Sequence, residues 1–466
     1  MMLRQGLQFA VSVALARLLS PEEFGTIALL ALFAGIASAF VDSGFSAALI
    51  REQNATHIDE STVFWFNLAI GCAASGVLLV AAPAIASFYG IPILVPLTWV
   101  MALNVLMSAV GAIHGTLLTK ALDFRSQMNV GIVASVLSGT VAIWMAWRGF
   151  GIWALAAQTI VATTCTTVML WMVNPWRPAW VFSPESAGRL FGFGSYLLAA
   201  NLLDISYNRL YTILIGKFFG VRELGFYSRA DGTKQLPVGV LTGILSRVAF
   251  PVFSAAANDP DRLRRGVQMS VRGMMLINFP MMLGLAALAE VVVVTLLGEK
   301  WLPAARILQV LCLAGVFWPL HVINLNVLMA QGHSNLFFRL EVVKKVLGIA
   351  LLAIGTLFGV MGIAWSTVLF GGLAFLINAH YTKRFLDYGA VRQIVDFAPI
   401  AVLSFCMYGL IRWVSILWSP SPFIELSTLV VVGVLTFVGL AVVFRIKAFR
   451  DAIGLFRQAT TDAAMG

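Results

Sequence analysis

The chain has 466 residues, of which 60% are hydrophobic and only 11% are charged. Because soluble globular proteins carry about 25% charged residues, this composition excludes a soluble globular domain. The formal net charge of +10 would suit nucleic acid, but the basic residues are dispersed through short connectors, so we predict no nucleic-acid partner.

Apolar windows long enough to cross a bilayer recur along nearly the whole chain. A hydrocarbon core about 30 Å thick needs roughly 20 apolar residues in a helix. Segments 1 to 6 are predicted at residues 3–19, 25–50, 62–88, 93–118, 128–147 and 151–173. Segments 7 to 14 are predicted at residues 190–215, 233–255, 270–297, 305–329, 336–358, 361–382, 396–418 and 425–444.

This pattern predicts an all-α polytopic membrane protein with about 14 transmembrane helices. The predicted domains are an N-lobe of six helices at 1–178, a C-lobe of six helices at 179–388, a C-terminal helix pair at 389–446 and a cytoplasmic tail at 447–466. The connectors are too short to form a catalytic domain, and no phosphate-cradling Gly-Lys-Ser/Thr loop occurs. We therefore expect no enzymatic activity.

The orientation follows from the basic residues, which concentrate in the connectors after even-numbered segments and in the C-terminal tail. Two connectors that follow odd-numbered segments, at residues 89–90 and 359–362, carry no charge. Lysine and arginine near helix ends stay on the cytoplasmic side of a membrane. Both termini should therefore be cytoplasmic.

An internal repeat supports the two-lobe interpretation. Residues 16–25 (ARLLSPEEFG) resemble residues 216–225 (GKFFGVRELG), at an offset of 200 residues. Six segments separate the copies, so both should run in the same direction, related by an axis along the membrane normal. The offset also places the start of segment 1 roughly ten residues before Met1, which predicts a shortened helix 1. A chance match between such short stretches is the alternative.

Several stretches resemble the polysaccharide transporter family, which belongs to the multidrug/oligosaccharidyl-lipid/polysaccharide exporter superfamily. They are residues 15–25 (LARLLSPEEFG), 41–50 (VDSGFSAALI), 61–67 (STVFWFN), 235–239 (QLPVG) and 297–303 (LGEKWLP). The resemblance implies a V-shaped, MATE-like pair of helix bundles in the bacterial inner membrane, around a central cavity that opens alternately to each face.

The resemblance also implies a function and its partners. The expected substrate is an undecaprenyl-diphosphate-linked oligosaccharide repeat unit, destined for exopolysaccharide, capsule or lipopolysaccharide. Membrane lipids, a polysaccharide polymerase and chain-length machinery are the other expected partners. The expected function is that of a flippase without a cofactor.

Transport of such a substrate requires cationic groups for the diphosphate and polar groups for the sugar hydroxyls. Our hypothesis assigns the diphosphate to Arg209, Arg247 and Arg17, because a guanidinium contacts two phosphate oxygens at once. The alternative is that these arginines anchor helix ends at the interface. The predicted polar lining of the cavity is Arg4, Gln8, Asn201, Asp204, Asn208, Tyr211, His321 and Asn324. Hydrogen bonding between helices is the alternative role for these residues.

Three acids within segments, Asp42, Glu290 and Glu341, are candidates for ion coupling. A lone acid in a membrane more often pairs with a neighbouring basic or polar group. The cysteines have neither disulfide nor metal-ligand spacing, so we predict no metal site.

Other functions remain open at this point. The main alternative is a multidrug or cation antiporter of the same superfamily, which would centre its mechanism on coupling acids. A membrane-bound saccharide polymerase or ligase would need large extracytoplasmic loops, and the sequence has none. The shortened helix 1 leaves a nonfunctional relic as a third possibility.

Overall fold

The computed structural model describes residues 2–42, 44–52, 54–418 and 421–451. Eighteen α-helices and one 3-10 turn, Glu299–Trp301, account for the regular structure in these ranges. The first nine helices are α1 Met2–Leu18, α2 Pro21–Asp42, α3 Phe45–Arg51, α4 His57–Tyr89, α5 Leu94–Lys120, α6 Phe124–Trp147, α7 Ile152–Val173, α8 Pro184–Asn208 and α9 Leu210–Phe218. The others are α10 Val221–Ala255, α11 Pro260–Ala287, α12 Ala289–Leu297, α13 Leu302–Val316, α14 Trp318–Ala330, α15 Ser334–Thr356, α16 Gly359–Leu386, α17 Ala390–Leu417 and α18 Pro422–Val443.

The predicted all-α polytopic fold is confirmed, because each of the 14 predicted segments coincides with helix. Ten helical stretches in the described ranges are long and apolar enough to cross a membrane. Segments 1, 7, 8 and 11 are not among these ten. Segment 11 carries four charged residues within its helix, and segment 1 forms a helix of only 17 residues.

Four of the predicted segments are each divided into two consecutive helices. The divisions are α2/α3, α8/α9, α11/α12 and α13/α14. The first division occurs at Gly44, whose φ of 72° lies in the left-handed region that glycine adopts without steric cost. A Cβ at Gly44 would overlap the backbone of Gly194 in α8, so this division also permits a close helix approach.

Capping residues explain where several helices begin. Ser20 precedes α2, and its backbone N–H donates to Glu23 Oε2 at 2.7 Å. Thr56 and Asp59 form a reciprocal capping box at the start of α4. The Asp59 carboxylate also pairs with Arg189 Nη2 of α8 at 2.7 Å. These contacts satisfy N–H groups that the first helical turn leaves unbonded.

The chain forms two compact units, the first ending at Ser228 and the second beginning at Arg229, within α10. In the first unit, α5 packs against α2, α4 and α7, while α6 packs against α1 and α7. In the second unit, α11 packs against α13 and α17, and α16 packs against α13, α14 and α15. The lobe boundaries that the sequence suggests, at residues 178, 388 and 446, stay predictions.

Candidate functional site

A polar cavity of about 470 Å³ lies inside the first unit, and we call it the Arg4 cavity. Residues of α1, α2, α3, α5, α6 and α7 form its walls. Its polar lining consists of Arg4, Ser38, Ser46, Ser108, Thr116, Thr119, Gln127 and Thr166. Among the described lining residues Arg4 is the only charged one. The cavity therefore presents a single cation among hydroxyl and amide groups.

A smaller cavity of about 220 Å³ shares Arg4, Gly131 and Thr166 with the Arg4 cavity. Its additional polar lining residues are Gln8, Ser135, Ser138, Gln158 and Thr159. Gln8 lies one turn from Arg4 on α1, so both side chains face the same side of this helix. The sequence predicted both residues as polar lining of a cavity, and the structure places them at the wall of one cavity.

Two glycines of α6 position Arg4 by allowing α1 to come close. A Cβ at Gly131 would lie 3.0 Å from Arg4 Nη1, and a Cβ at Gly139 would lie 2.5 Å from Val11 Cγ2. Gly131 and Gly139 are eight residues apart, which places them on the same face of α6. The arginine side chain therefore occupies space that any other residue at Gly131 would restrict.

The hydroxyl and amide groups of the Arg4 cavity are connected by hydrogen bonds. Gln127 Nε2 donates to Thr119 Oγ1 at 2.8 Å and to the carbonyl oxygen of Gly115 at 2.9 Å. Thr116 Oγ1 donates to Ser46 Oγ at 2.9 Å. A guanidinium has five N–H donors, and hydroxyl oxygens keep acceptor capacity after donating. This combination suits a ligand that joins an anionic group to a polyhydroxyl group.

The other residues predicted in the first unit do not line the Arg4 cavity. Arg17 is exposed at the opposite end of α1, about 20 Å along the helix axis from Arg4. Asp204 and Asn208 are exposed on α8, where Asn208 Nδ2 donates to Asp204 Oδ2 at 3.1 Å. Asn201 is exposed one turn earlier on the same helix. Their predicted roles in substrate binding remain untested.

Arg209 lies at the break between α8 and α9, where its side chain is exposed. Two residues further on, Tyr211 packs its ring against Tyr227, with centroids 4.7 Å apart. The side chains of Asp42 and Arg247 lie outside the part of the chain that the structure describes. Diphosphate binding by Arg209, Arg247 and Arg17 stays a prediction, and so does ion coupling by Asp42.

Asn324 and His321 belong to a hydrogen-bonded network inside the second unit. The amides of Asn324 and Gln393 bond reciprocally at 3.0 and 2.8 Å, and Thr382 Oγ1 donates to Asn324 Oδ1 at 2.7 Å. Asn378 Nδ2 lies 2.9 Å from His321 Nδ1. The network joins α14, α16 and α17. Asn324 is fully buried, so this geometry favours the alternative role of bonding between helices, while lining of a sugar path stays a prediction.

A second polar contact in this unit involves an ion pair. Arg272 Nη2 of α11 lies 2.5 Å from Asp396 Oδ1 of α17, and Tyr388 Oη donates to Asp396 Oδ2 at 2.7 Å. Tyr388 lies in the connector before α17, where burial and the bond to this carboxylate raise its pKa above the ordinary value. The tyrosine hydroxyl therefore stays protonated and keeps donating to Asp396 at neutral pH.

Both of the other acids considered for ion coupling have basic partners. Glu290 Oε2 lies 3.6 Å from Arg412 Nη1, and Gln309 Nε2 is 3.5 Å from its other oxygen. Glu341 Oε1 lies 2.5 Å from Lys344 Nζ, and the Lys344 side chain is only 4% exposed. These pairs fit the structural alternative that the sequence left open, and a coupling role for either acid stays a prediction.

Replacing Glu341 by glutamine should destabilise the protein by about 1.5–3 kcal/mol, because the buried Lys344 ammonium would lose its charged hydrogen-bond acceptor. Glu290→Gln is the matched control, since Glu290 is 46% exposed and its pair should contribute less than about 1 kcal/mol. Reversible unfolding in detergent measures both changes. Equal losses in the two variants would contradict this interpretation of the buried pair.

Sequence reasoning missed most of the cavity residues, although a signal was present. Ser108, Ala112, Gly115 and Thr119 recur on one face of α5 at spacings of three and four. A stripe of small and polar residues at this spacing is typical of a helix face that is turned toward other helices and not toward lipid. The partner side chains on α2, α3 and α7 have no such spacing in common, so only packing brings them together.

Comparison with known proteins gives matches along most of the chain. Residues 14–306 match the family model described as "Polysaccharide biosynthesis protein". Residues 205–432 match the model described as "Lipid II flippase MurJ". The teichuronic acid biosynthesis protein TuaB of Bacillus subtilis is 31% identical over 72% of this chain and 71% of its own length. The succinoglycan biosynthesis transport protein ExoT of Rhizobium meliloti is 28% identical over 76% of this chain and 72% of its own length.

A solved structure shares the fold. The lipid II flippase MurJ, in an inward closed conformation, superimposes with a TM-score of 0.77 over 97% of this chain and 98% of its own. The sequence identity is 17%. At this identity the likeness concerns the fold alone.

Proposed function

This chain belongs to the polysaccharide biosynthesis protein family, and from that premise we propose that it is a flippase for lipid-linked oligosaccharide repeat units. One relative is named a transport protein for succinoglycan biosynthesis, and one matching family model is described as a lipid II flippase. The chain is a multi-pass membrane protein. We further propose that it resides in the bacterial inner membrane with both termini in the cytoplasm.

The observation that carries the proposal is the Arg4 cavity. Arg4 is exposed in the first turn of α1, where its guanidinium lines the wall of the cavity. The described lining of the cavity has hydroxyl and amide groups but no acid. Arg4 is therefore available for an anionic ligand, and its planar fork matches the paired oxygens of a diphosphate.

The polar wall around Arg4 suits the sugar portion of the same substrate. Glutamine amides both donate and accept hydrogen bonds, as sugar hydroxyls do. Gln127 lines the Arg4 cavity, and Gln158 lines the smaller cavity that shares Arg4 with it. We propose that the diphosphate meets Arg4 while the first sugars contact these amides and the neighbouring hydroxyl groups.

The position of the cavity along the membrane normal supports entry from the cytoplasm. Thr119 and Ile50 line the cavity and directly precede Lys120 and Arg51, and Gln127 follows Arg125 by two residues. Basic residues at helix ends favour the cytoplasmic side. The Arg4 cavity then lies within reach of a headgroup on the cytoplasmic leaflet.

The electrostatics also bear on the main alternative. A multidrug or cation antiporter requires acidic groups that attract its substrate, whereas Arg4 repels a cation. The acids Glu290 and Glu341 are in the second unit and are paired with basic residues. We also propose that the chain has no enzymatic activity. We propose in addition that it contacts a polysaccharide polymerase and chain-length machinery.

Deletion of the gene should cause lipid-linked oligosaccharide to accumulate on the cytoplasmic leaflet, because the headgroup cannot cross the apolar core unaided. Periodate, which does not cross the membrane, would oxidise the sugar headgroups of right-side-out vesicles only after expression of this chain. A drug-resistance assay on the same strains is the control for antiport. Unchanged sugar exposure together with altered drug accumulation would favour the antiporter.

A further inference from the structure

A separate cavity of about 430 Å³ lies where α16 ends and α17 begins in the second unit, and we call it the Lys383 cavity. It shares no lining residue with the Arg4 cavity. The side chains that give it its chemical character are the polar His380, Lys383, Asp387 and Arg392 and the apolar Leu376 and Val391.

The charged groups of the Lys383 cavity leave one positive charge unpaired. Arg392 Nη1 lies 2.5 Å from Asp387 Oδ2 and also donates to the backbone carbonyl oxygen of Asp387, so this pair is neutral as a whole. Within the described part of the chain, no carboxylate pairs with the Lys383 ammonium. Apart from His380, two cationic side chains therefore face one carboxylate, which suits a ligand group with a single negative charge.

Gly389 fixes the position of Lys383 at this cavity. A Cβ at Gly389 would lie 2.9 Å from Lys383 Cβ and 3.0 Å from Lys383 Cδ. The aliphatic part of the lysine therefore lies along the glycine backbone at the start of α17. Gly389 itself is buried, whereas Lys383 is exposed, so the lysine stem is supported while its ammonium stays accessible.

The apolar end of the Lys383 cavity continues into an exposed face of α16. Trp365, Leu369, Leu373 and Leu376 are all exposed, and their spacings of four, four and three place them on one side of the helix. Apolar side chains that are exposed on a membrane-spanning helix face the lipid. The next turns of the same face carry His380 and Lys383, so this side of α16 changes from apolar to cationic.

The first turns of α17 have the same character on the other side of the cavity. Val391 lines the cavity, and Val395 and Val402 continue from it along an exposed apolar face. The cavity is therefore a cationic recess at the end of two lipid-facing helix surfaces. A free anion would use only the recess, whereas an amphiphile with an anionic headgroup would use the recess and both surfaces.

We propose that the Lys383 cavity binds the phosphate of an anionic phospholipid, with the acyl chains lying along the exposed faces of α16 and α17. Basic pockets between membrane helices bind anionic headgroups in this way. A phosphodiester carries one negative charge, which matches the one unpaired cation. On the topology proposed above, the lipid belongs to the cytoplasmic leaflet. The binding itself does not depend on transport, so its failure would leave the flippase proposal intact.

Native mass spectrometry of the full chain in detergent tests the lipid site by titration with phosphatidylglycerol. Lys383→Gln should weaken binding about fivefold, the effect of one basic residue near a membrane surface. Arg384→Gln is the matched control, because Arg384 is the next residue and is exposed but does not line the cavity. It should change binding by less than about twofold, since solvent screens this charge. Equal losses in the two variants would overturn the site.

A second variant keeps the fold intact while opposing the headgroup. Ala390 lines the cavity and is the first residue of α17, so Ala390→Asp places an acid in a first turn, where it favours the helix. Binding of phosphatidylglycerol should nevertheless fall about fivefold or more, while the neutral Ala390→Asn should change it by less than about twofold. Unchanged binding by Ala390→Asp would contradict a phosphate at this position.

Two competition experiments identify the source of the phosphate. Zwitterionic phosphatidylcholine should bind about fivefold more weakly than phosphatidylglycerol, because its choline group cancels the phosphate charge. Excess inorganic phosphate should leave phosphatidylglycerol bound, because it lacks the acyl chains that contact α16 and α17. Equal binding of the two lipids would overturn the selectivity for anionic lipid. Displacement by inorganic phosphate would assign the cavity to a small anion and overturn the lipid site.

Discussion

Replacing Arg4 by glutamine should lower the translocation of lipid-linked oligosaccharide by about 10- to 100-fold. Hydrogen bonds to a charged group contribute about 1.5–3 kcal/mol, and about 1.4 kcal/mol corresponds to a factor of ten. Arg4 is the only charged residue in the described lining of its cavity, so no neighbouring cation replaces it. Initial rates in vesicles with equal amounts of protein measure the effect.

Two further variants make the Arg4 experiment specific. Arg4→Lys should retain part of the activity, because an ammonium keeps the charge but lacks the planar fork. Arg148→Gln should leave translocation unchanged, since Arg148 is exposed at the end of α6, with its guanidinium 5.6 Å from the Trp144 ring. Wild-type rates for Arg4→Gln would remove Arg4 from the binding site.

Replacing Arg272 by methionine should lower the free energy of unfolding by about 1.5–3 kcal/mol, because the partly buried Asp396 carboxylate would lose a charged hydrogen-bond donor. The side chains of Arg272 and Asp396 are 24% and 13% exposed, so the remaining carboxylate would be poorly hydrated. Adding Asp396→Asn should restore much of the loss, because the unpaired charge disappears and the amide oxygen still accepts from Tyr388. Reversible unfolding in mild detergent measures all three proteins.

An exposed pair on the same helix provides the matched control. Arg264 Nη2 lies 3.3 Å from Asp261 Oδ1, with side chains 38% and 73% exposed. Arg264→Met should change the free energy of unfolding by less than about 1 kcal/mol, because solvent screens this pair. Similar losses for Arg264→Met and Arg272→Met would show that burial of Asp396 does not govern the stability of the second unit.

Hydropathy predicted where helices occur but not where they are divided. Segments 9 and 10 read as continuous apolar runs, yet the chain leaves regular helix at Leu288 and Phe317. Leu288 gives no local signal of a break, whereas Pro319 follows Phe317 by two residues and cannot donate a backbone hydrogen bond to the preceding turn. Near Phe317, Asn278 Nδ2 of α11 donates to the carbonyl oxygens of Gly315 and Val316, at 3.3 and 3.0 Å. A residue far away in sequence therefore satisfies backbone groups at the end of α13.

The candidate site was only partly predictable for a related reason. The sequence prediction included Arg4 and Gln8 in the polar lining of the cavity. Gly131 carries no chemical group that would mark a binding site, and its importance appears only because Arg4 lies against it. Helical periodicity identifies the polar face of one helix, but it does not say which helix faces it.

The amino-acid sequence alone determined that this chain is a bundle of membrane helices with a repeated motif, because the bilayer penalises polar residues and unpaired backbone groups segment by segment. Only the tertiary structure decided that Arg4 shares a cavity with residues of five other helices, and that Gly131 allows α1 to come close to α6. Which helix faces adjoin depends on shape complementarity between residues far apart along the chain, and that information is not contained in the pattern of any single segment.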